Sequence, residues 1–255
     1  MLNGLISDFR TARPKVQKAL DVLLKWDTVL DKESIGGTVY EILIYTMIRN
    51  LVEPHLGKDL TDRFMGNGEH PLLLPTSELL GHSTVCLFDI IQNGNSHWII
   101  NSKEAFLLVE RSLEDTCSWL ENNLGDDPEQ WEWGKIHQAQ FRHAMSIKKP
   151  MDKIFNVGPF PIGGDTDTVC QTAFNPATPY HATEWCPAFR MIVDLGDFSR
   201  SMIMNPAGQS GVLGDIHYDD FTEMWLRGEY IPMLWTKEEV EKNAEKEIKL
   251  SKATR

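Results

Sequence analysis

The sequence is short of cysteine, of basic charge and of long apolar runs, and each shortage narrows what the chain can be. Its four cysteines, Cys86, Cys117, Cys170 and Cys186, are irregularly spaced and form no CxxC pair. A tetrahedral zinc site draws its ligands from such close pairs, so no structural zinc is expected. The four are read as buried free thiols, which leaves the redox compartment open. Lys and Arg number 25 against 37 Asp and Glu, a net charge of -12. Nucleic acid is therefore not an expected partner, because a phosphate backbone is held by a basic stripe. The acidic excess bears on solubility more than on fold. The most apolar stretch, residues 40–51, contains Glu41 and Arg49 and falls short of the roughly 20 residues that span a bilayer. Residues 1–7 lack a basic leader, and Arg10, Arg13, Lys15 and Lys18 interrupt any apolar run after them. No signal peptide and no membrane partner are expected, and the chain reads as soluble. Internal repeats and low-complexity segments are also lacking.

The apolar content is ordinary, 42%, and includes eight tryptophans, a number typical of large, well-packed interiors or interfaces. A chain of 255 residues can bury a sizeable core as one large domain or two small ones.

The first 150 residues read as mainly helical. Val16, Ala19, Leu20, Leu23 and Leu24 share one helical face. A second helix, over about 37–52 with Ser34 or Asp31 as its cap, is apolar around most of its circumference and is expected to stop at Pro54. A turn-rich connector leads to a third helix at about 76–92. The fourth starts at a capping box, Asn101 with Glu104, and ends at Gly125. A fifth is expected from Asp127-Pro128, carrying Trp131, Trp133, Ile136 and Phe141. After Pro150 glycines and prolines introduce extended chain. Phe189, Met191, Val193 and Leu195 alternate with polar or opposite-facing residues, the period of a half-buried strand, and 199–204 reads as a second strand. From Thr236 a capped, charged helix becomes a solvated tail. The expected divisions are 1–150 helical, 151–235 strand and loop, and 236–255 charged tail, all within one incomplete domain. The fold class is α+β.

Candidate chemistry is sparse. Gly208-Gln209-Ser210-Gly211 suggests a nucleophile elbow, but Val212 stands where the pattern needs glycine, and a structural turn is expected. Asp165 and Asp167 alternate as in an acidic metal loop, yet the further oxygen ligands and downstream Glu of a calcium loop are missing, and carboxylates accepting backbone N–H groups are expected instead. His137 and His143 lack the spacing of a zinc helix, and His137 reads as a buried, hydrogen-bonded histidine. His217 with Asp219 and Asp220 would suit an acid–base pair. Asp219 capping the following helix is the preferred reading.

The order and spacing of several blocks carry a resemblance. They are WEWGKIH at 131–137, Phe141-Arg142-His143, FPIGGDTDTV at 160–169, AFRMIVDL at 188–195, and GQSG, HYDD and WLRGEYIPMLW over 208–235. Together they resemble the C-terminal part of the β subunit of the penicillin acylase family of N-terminal-nucleophile amide hydrolases, over about the whole chain. The resemblance implies strands that complete an αββα sandwich, and a parent activity splitting an acyl group from an amine, such as a β-lactam nucleus or an acyl-homoserine lactone. It also implies that the N-terminal nucleophile, whose own α-amine serves as base, lies upstream with the family's calcium ligands. No catalytic, cofactor or metal residue is then assigned to this chain, which is read as scaffold without the nucleophile. The implied partners are the α subunit and the proximal β subunit, and full-length members are often periplasmic or secreted. A non-catalytic, stand-alone or subunit-complementing binding protein is the alternative. A third reading is an unrelated enzyme using His137 or His217.

Overall fold

The apolar beat at residues 16–24 becomes helix α1, Pro14–Lys25, in a computed structural model that describes residues 6, 14–65, 83–93, 97–174, 185–245 and 247–251. Pro14 occupies the first turn, where no amide hydrogen bond is lost. Val16, Ala19, Leu20 and Leu23 are buried, whereas Leu24 is exposed, so the buried face is narrower than expected. Helix α2, Ile35–Phe64, is capped by Ser34, whose hydroxyl accepts from the Gly37 N–H at 3.0 Å.

This helix does not stop at Pro54. It passes through the proline and breaks at Gly57, where φ is 74° and ψ 165°. A proline inside a helix costs about 3 kcal/mol. The buried side chains of Ile44, Ile48, Leu51 and Val52 on the preceding turns each return about 1.5–3 kcal/mol, so packing outweighs the local penalty. Arg49 spans the break, pairing with Glu53 on one side and with Asp62 on the other, while Lys58 adds a 2.7 Å contact to Asp62.

Helix α3, Ser83–Asn93, buries Leu87, Phe88 and Ile91. Its expected start and the connector before it lie outside the described residues. Helix α4, Ser102–Leu124, begins where the capping box indicates. Asn101 accepts from the Glu104 N–H at 3.0 Å, but the Glu104 carboxylate reaches one residue further back, to the Ile100 N–H at 2.9 Å. Helices α1, α2 and α4 pack on one another around a core of Leu20, Leu23, Val39, Leu43, Met47, Val109, Leu113 and Leu120.

The expected fifth helix is replaced by a short 3-10 turn at Pro128–Gln130, a one-turn helix α5 at Trp133–Ile136, and a strand β1 at Gln138–Phe141 that holds Phe141. Trp131 and Trp133 are buried in the core. The Gly134 N–H donates to Lys32 O at 2.6 Å, so tertiary contacts to the 30–34 segment override a continuous helix. A second 3-10 turn, Ala144–Ile147, and a one-turn helix α6, Asp152–Phe155, lead to strand β2, Val157–Pro161. β2 pairs antiparallel with β1, Ala139 opposite Phe160.

The chain clusters into two units, Met1–Cys186 and Pro187–Arg255. In the second, strands β3 (Arg190–Ile192), β4 (Met202–Met204) and β5 (Ile231–Pro232) form an antiparallel sheet in the order β3-β4-β5. Met191 faces Ile203, and Ile203 faces Ile231. Helix α7, Thr222–Leu226, supplies the buried Trp225. Its indole donates to Pro187 O at 3.0 Å, and the Arg190 guanidinium lies 4.3 Å from the ring centroid while donating to Trp225 O at 2.8 Å. The final helix, α8, Lys237–Asn243, has the expected capping box between Thr236 and Glu239. The strand alternation at 189–195 does not bury its apolar set. Phe189, Met191, Val193 and Leu195 are all exposed, Leu195 by 84%.

Candidate functional site

The FPIGGDTDTV block builds a buried polar cluster around Asp165. Gly164 has φ 81°, and a Cβ there would stand 2.2 Å from Cys170 O, so only glycine fits. Its N–H donates to Leu30 O at 2.7 Å, and its carbonyl accepts from the Trp133 indole at 2.9 Å. The first bond ties the loop to the α1–α2 connection and the second ties it to α5. Asp165 is buried and folds the loop on itself, its carboxylate accepting from the Asp167 N–H at 2.9 Å and its carbonyl from the Thr172 N–H at 3.0 Å. The carboxylate of Asp165 thus accepts a backbone N–H, as expected from the sequence. Among the described residues no group of three or more His, Cys, Asp or Glu side chains is placed to hold a metal ion.

His137, 1% exposed, closes the back of this loop. It stacks on Trp133 with ring centroids 4.6 Å apart, and its Nε2 lies 3.0 Å from Thr172 Oγ1. That hydroxyl donates its hydrogen to Gly163 O at 2.7 Å, so His137 Nε2 is the donor in the contact with Thr172. Burial depresses its pKa to about 3. A histidine and hydroxyl in contact suggest nucleophilic catalysis. Here the hydroxyl is fully buried and its hydrogen is committed to a carbonyl, so the pair holds structure. His143 likewise serves locally. Its Nδ1 accepts from the Met145 N–H at 3.1 Å, and its ring stacks on Phe155.

Glu41 is the residue that the motifs do not reveal. On α2 it projects toward the Asp165 loop, and burial, followed by the charges of Asp165 and Asp167, raises its pKa well above 4.5. The two carboxyl groups lie close enough that each disfavours the other's charge. Glu41 Oε1 has no hydrogen-bond partner. A cavity of about 340 Å³ opens here, lined by Trp26, Tyr40, Phe88, Glu41, Asp165 and Asp167 among others. The signal present in the sequence is a lone acid within the most apolar stretch of the chain.

In the second unit, the His217 ring lies between Asp220 Oδ2 at 2.8 Å and Glu245 Oε2 at 3.1 Å. Both ring nitrogens donate, which favours the imidazolium, and the bonds to Asp220 and then Glu245 raise its pKa to about 9. A cation at neutral pH has no lone pair with which to act as a base. Asp219 does not cap α7 with its side chain. That helix starts after Phe221 without a side-chain cap, and it is the Asp219 carbonyl that accepts from the Thr222 N–H. Ser210 is a turn residue: its Oγ accepts from the Val212 N–H at 3.2 Å and its N–H donates to His217 O at 2.9 Å.

These arrangements, a mixed helical and stranded chain whose conspicuous loops are structural, correspond to a known hydrolase fold. The thermostable penicillin G acylase from Alcaligenes faecalis matches 99% of this chain with a TM-score of 0.56 at 14% identity, and this chain covers 45% of that one. The penicillin amidase family model matches residues 1–242, and the chain belongs to that family. An acyl-homoserine lactone acylase QuiP of Pseudomonas fluorescens Pf0-1 is 28% identical over 224 residues, which are 86% of this chain and 26% of that protein. QuiP of Pseudomonas aeruginosa is 26% identical, covering 86% and 27%. Penicillin acylase 2 proenzyme of Pseudomonas sp. SE83 is 31% identical over 105 residues, 41% of this chain and 13% of that one. The chain spans about a quarter of the length of the QuiP relatives it matches.

Proposed function

We propose that this chain is the distal β-subunit portion of an amide-hydrolysing acylase and acts there as scaffold, with the nucleophile supplied by polypeptide outside these 255 residues. The parent reaction is attack on a linear amide carbonyl, releasing an amine and leaving the acyl group on the nucleophile for water to remove. The carrying observation is the pairing of a family match over 1–242 with coverage of only about a quarter of the QuiP relatives. The state of the two histidines agrees. His137 is buried and neutral, and His217 is clamped as a cation between two carboxylates. The relatives' names suggest acyl-homoserine lactones or β-lactam side chains as the substrate class.

The surface that the rest of the acylase would complete is the apolar row at 189–195. A strand edge with exposed side chains such as Met191 and Ile192 offers backbone groups that another strand can pair. The test is hydrolysis of an acyl anilide and of an N-acyl-homoserine lactone by the chain alone and by the chain co-produced with the remaining acylase portion. Turnover only in co-production supports the reading. Turnover by the chain alone, lost on His137→Gln or His217→Gln, overturns it.

A further inference from the structure

We propose that the cavity between α1, α2 and the Asp165 loop is a binding site for a small organic ammonium ion carrying an apolar, benzyl-sized body. Three features of the cavity point the same way. Its walls are largely apolar and aromatic, with Trp26, Tyr40 and Phe88 beside Leu23 and Leu30. Trp26 and Tyr40 lie with ring centroids 5.3 Å apart, and the Trp26 indole N–H is already committed to Val29 O at 2.9 Å. The ring therefore offers its π-face, which attracts cations. A Cβ on Gly36 would stand 2.4 Å from the Trp26 side chain, so helix α2 holds the indole in place.

The second feature is the acid at the base. Glu41 is 7% exposed, lines the cavity, and leaves Oε1 without a hydrogen-bond partner. A buried acceptor with no donor opposite it is matched by a ligand N–H, and a charged donor matches it best. The third is the sign of the surroundings. Asp165 and Asp167 line the same space, and no basic side chain is among the described lining residues. The cavity therefore suits a cation over a neutral or anionic ligand. Among the described residues these carboxylates are not gathered as a metal-ligand set. About 340 Å³ is at the small end of ligand sites, which sets the size of the body.

Burial and the neighbouring carboxylates raise the Glu41 pKa, so wherever Glu41 carries a proton the ammonium displaces it to solvent, and the local charge is unchanged. Among the described residues the groups facing Glu41 are Asp165, Asp167 and Tyr40, all acids, so affinity for the ammonium rises with pH as the proton competes less, until the amine itself deprotonates.

The experiment is calorimetric titration of the full chain with benzylamine, with benzyl alcohol as the uncharged control, and with Glu41→Gln and Asp167→Asn variants. The inference predicts saturable benzylamine binding, benzyl alcohol weaker by about tenfold or more, and a similar loss in Glu41→Gln. Asp167 is exposed, so Asp167→Asn should keep the fold and lose roughly threefold. Equal binding of amine and alcohol, undiminished binding in both variants, or no saturable binding overturns the proposal. The measurement does not depend on amide hydrolysis, so its failure leaves the scaffold reading standing, and the reverse also holds.

Discussion

The two units bury their apolar residues to different extents. In the first, Val39, Leu43, Met47, Leu113, Trp131 and Trp133 close a continuous core around α2. In the second, Met204 and Trp225 are buried, while Phe189, Met191, Leu195, Leu213 and Ile216 remain exposed. Both sequences are rich in large apolar side chains. The difference lies in what each can pack against. Helices α1, α2 and α4 each present a stripe to the others, whereas a three-stranded sheet needs a covering layer on its apolar face. The first unit therefore closes a helical core, and the second leaves more of its apolar side chains at the surface.

Substitutions in each unit probe this contrast. Trp133→Ala should have the largest effect, about 3–5 kcal/mol of lost stability in urea unfolding. It removes a buried ring, the stack on His137 and the bond to Gly164 O. If the loss were under about 1 kcal/mol, the Asp165 loop would not depend on the helical core. Ser34→Ala removes the α2 cap and should cost about 1 kcal/mol by the same measurement. In the second unit Leu195→Lys should change stability by less than about 0.5 kcal/mol while improving solubility, because that side chain is 84% exposed. A large loss there would show a buried role for the row.

Two pH dependences separate the units further. Glu41 has a raised folded pKa, so its stabilising contribution is complete below about 4.5 and is lost as pH rises toward the folded value. Glu41→Gln should flatten the fall of stability over that window, as read from urea midpoints at a series of pH values. His217 is also raised, so the contribution of its two ion pairs is full below about 6.5 and disappears as pH passes about 9. The effect is small, because the group is at the surface. An NMR titration placing His217 at or below 6.5 would contradict the clamp between Asp220 and Glu245.

Much of the helical unit is legible in the sequence because its signals are local. The Ser34 cap, the Asn101–Glu104 start and the Gly125 stop are each written within a few residues. Local rules fail where distant contacts decide. Pro54 reads as a stop but is carried through by burial on the turns before it. Residues 131–141 keep a helical rhythm yet turn into β1, because Gly134 and Trp133 bond to the 30–34 segment and the Gly163-Gly164 loop. The Glu41–Asp165 pair joins residues more than a hundred positions apart, and no spacing rule reaches that far. The alternation at 189–195 does contain a strand, Arg190–Ile192. Its apolar side chains are exposed. The blocks of resemblance carry the more informative signal for family.

The most direct test of the scaffold reading is amide hydrogen exchange across residues 189–204, measured for the chain alone and for the chain assembled with the remainder of the acylase. Fast exchange is expected at 189–193 in the chain alone, and strong protection on assembly, as the open sheet edge gains a neighbour. Equal exchange in both states would contradict that reading, and would leave the apolar row of the second unit as an ordinary surface.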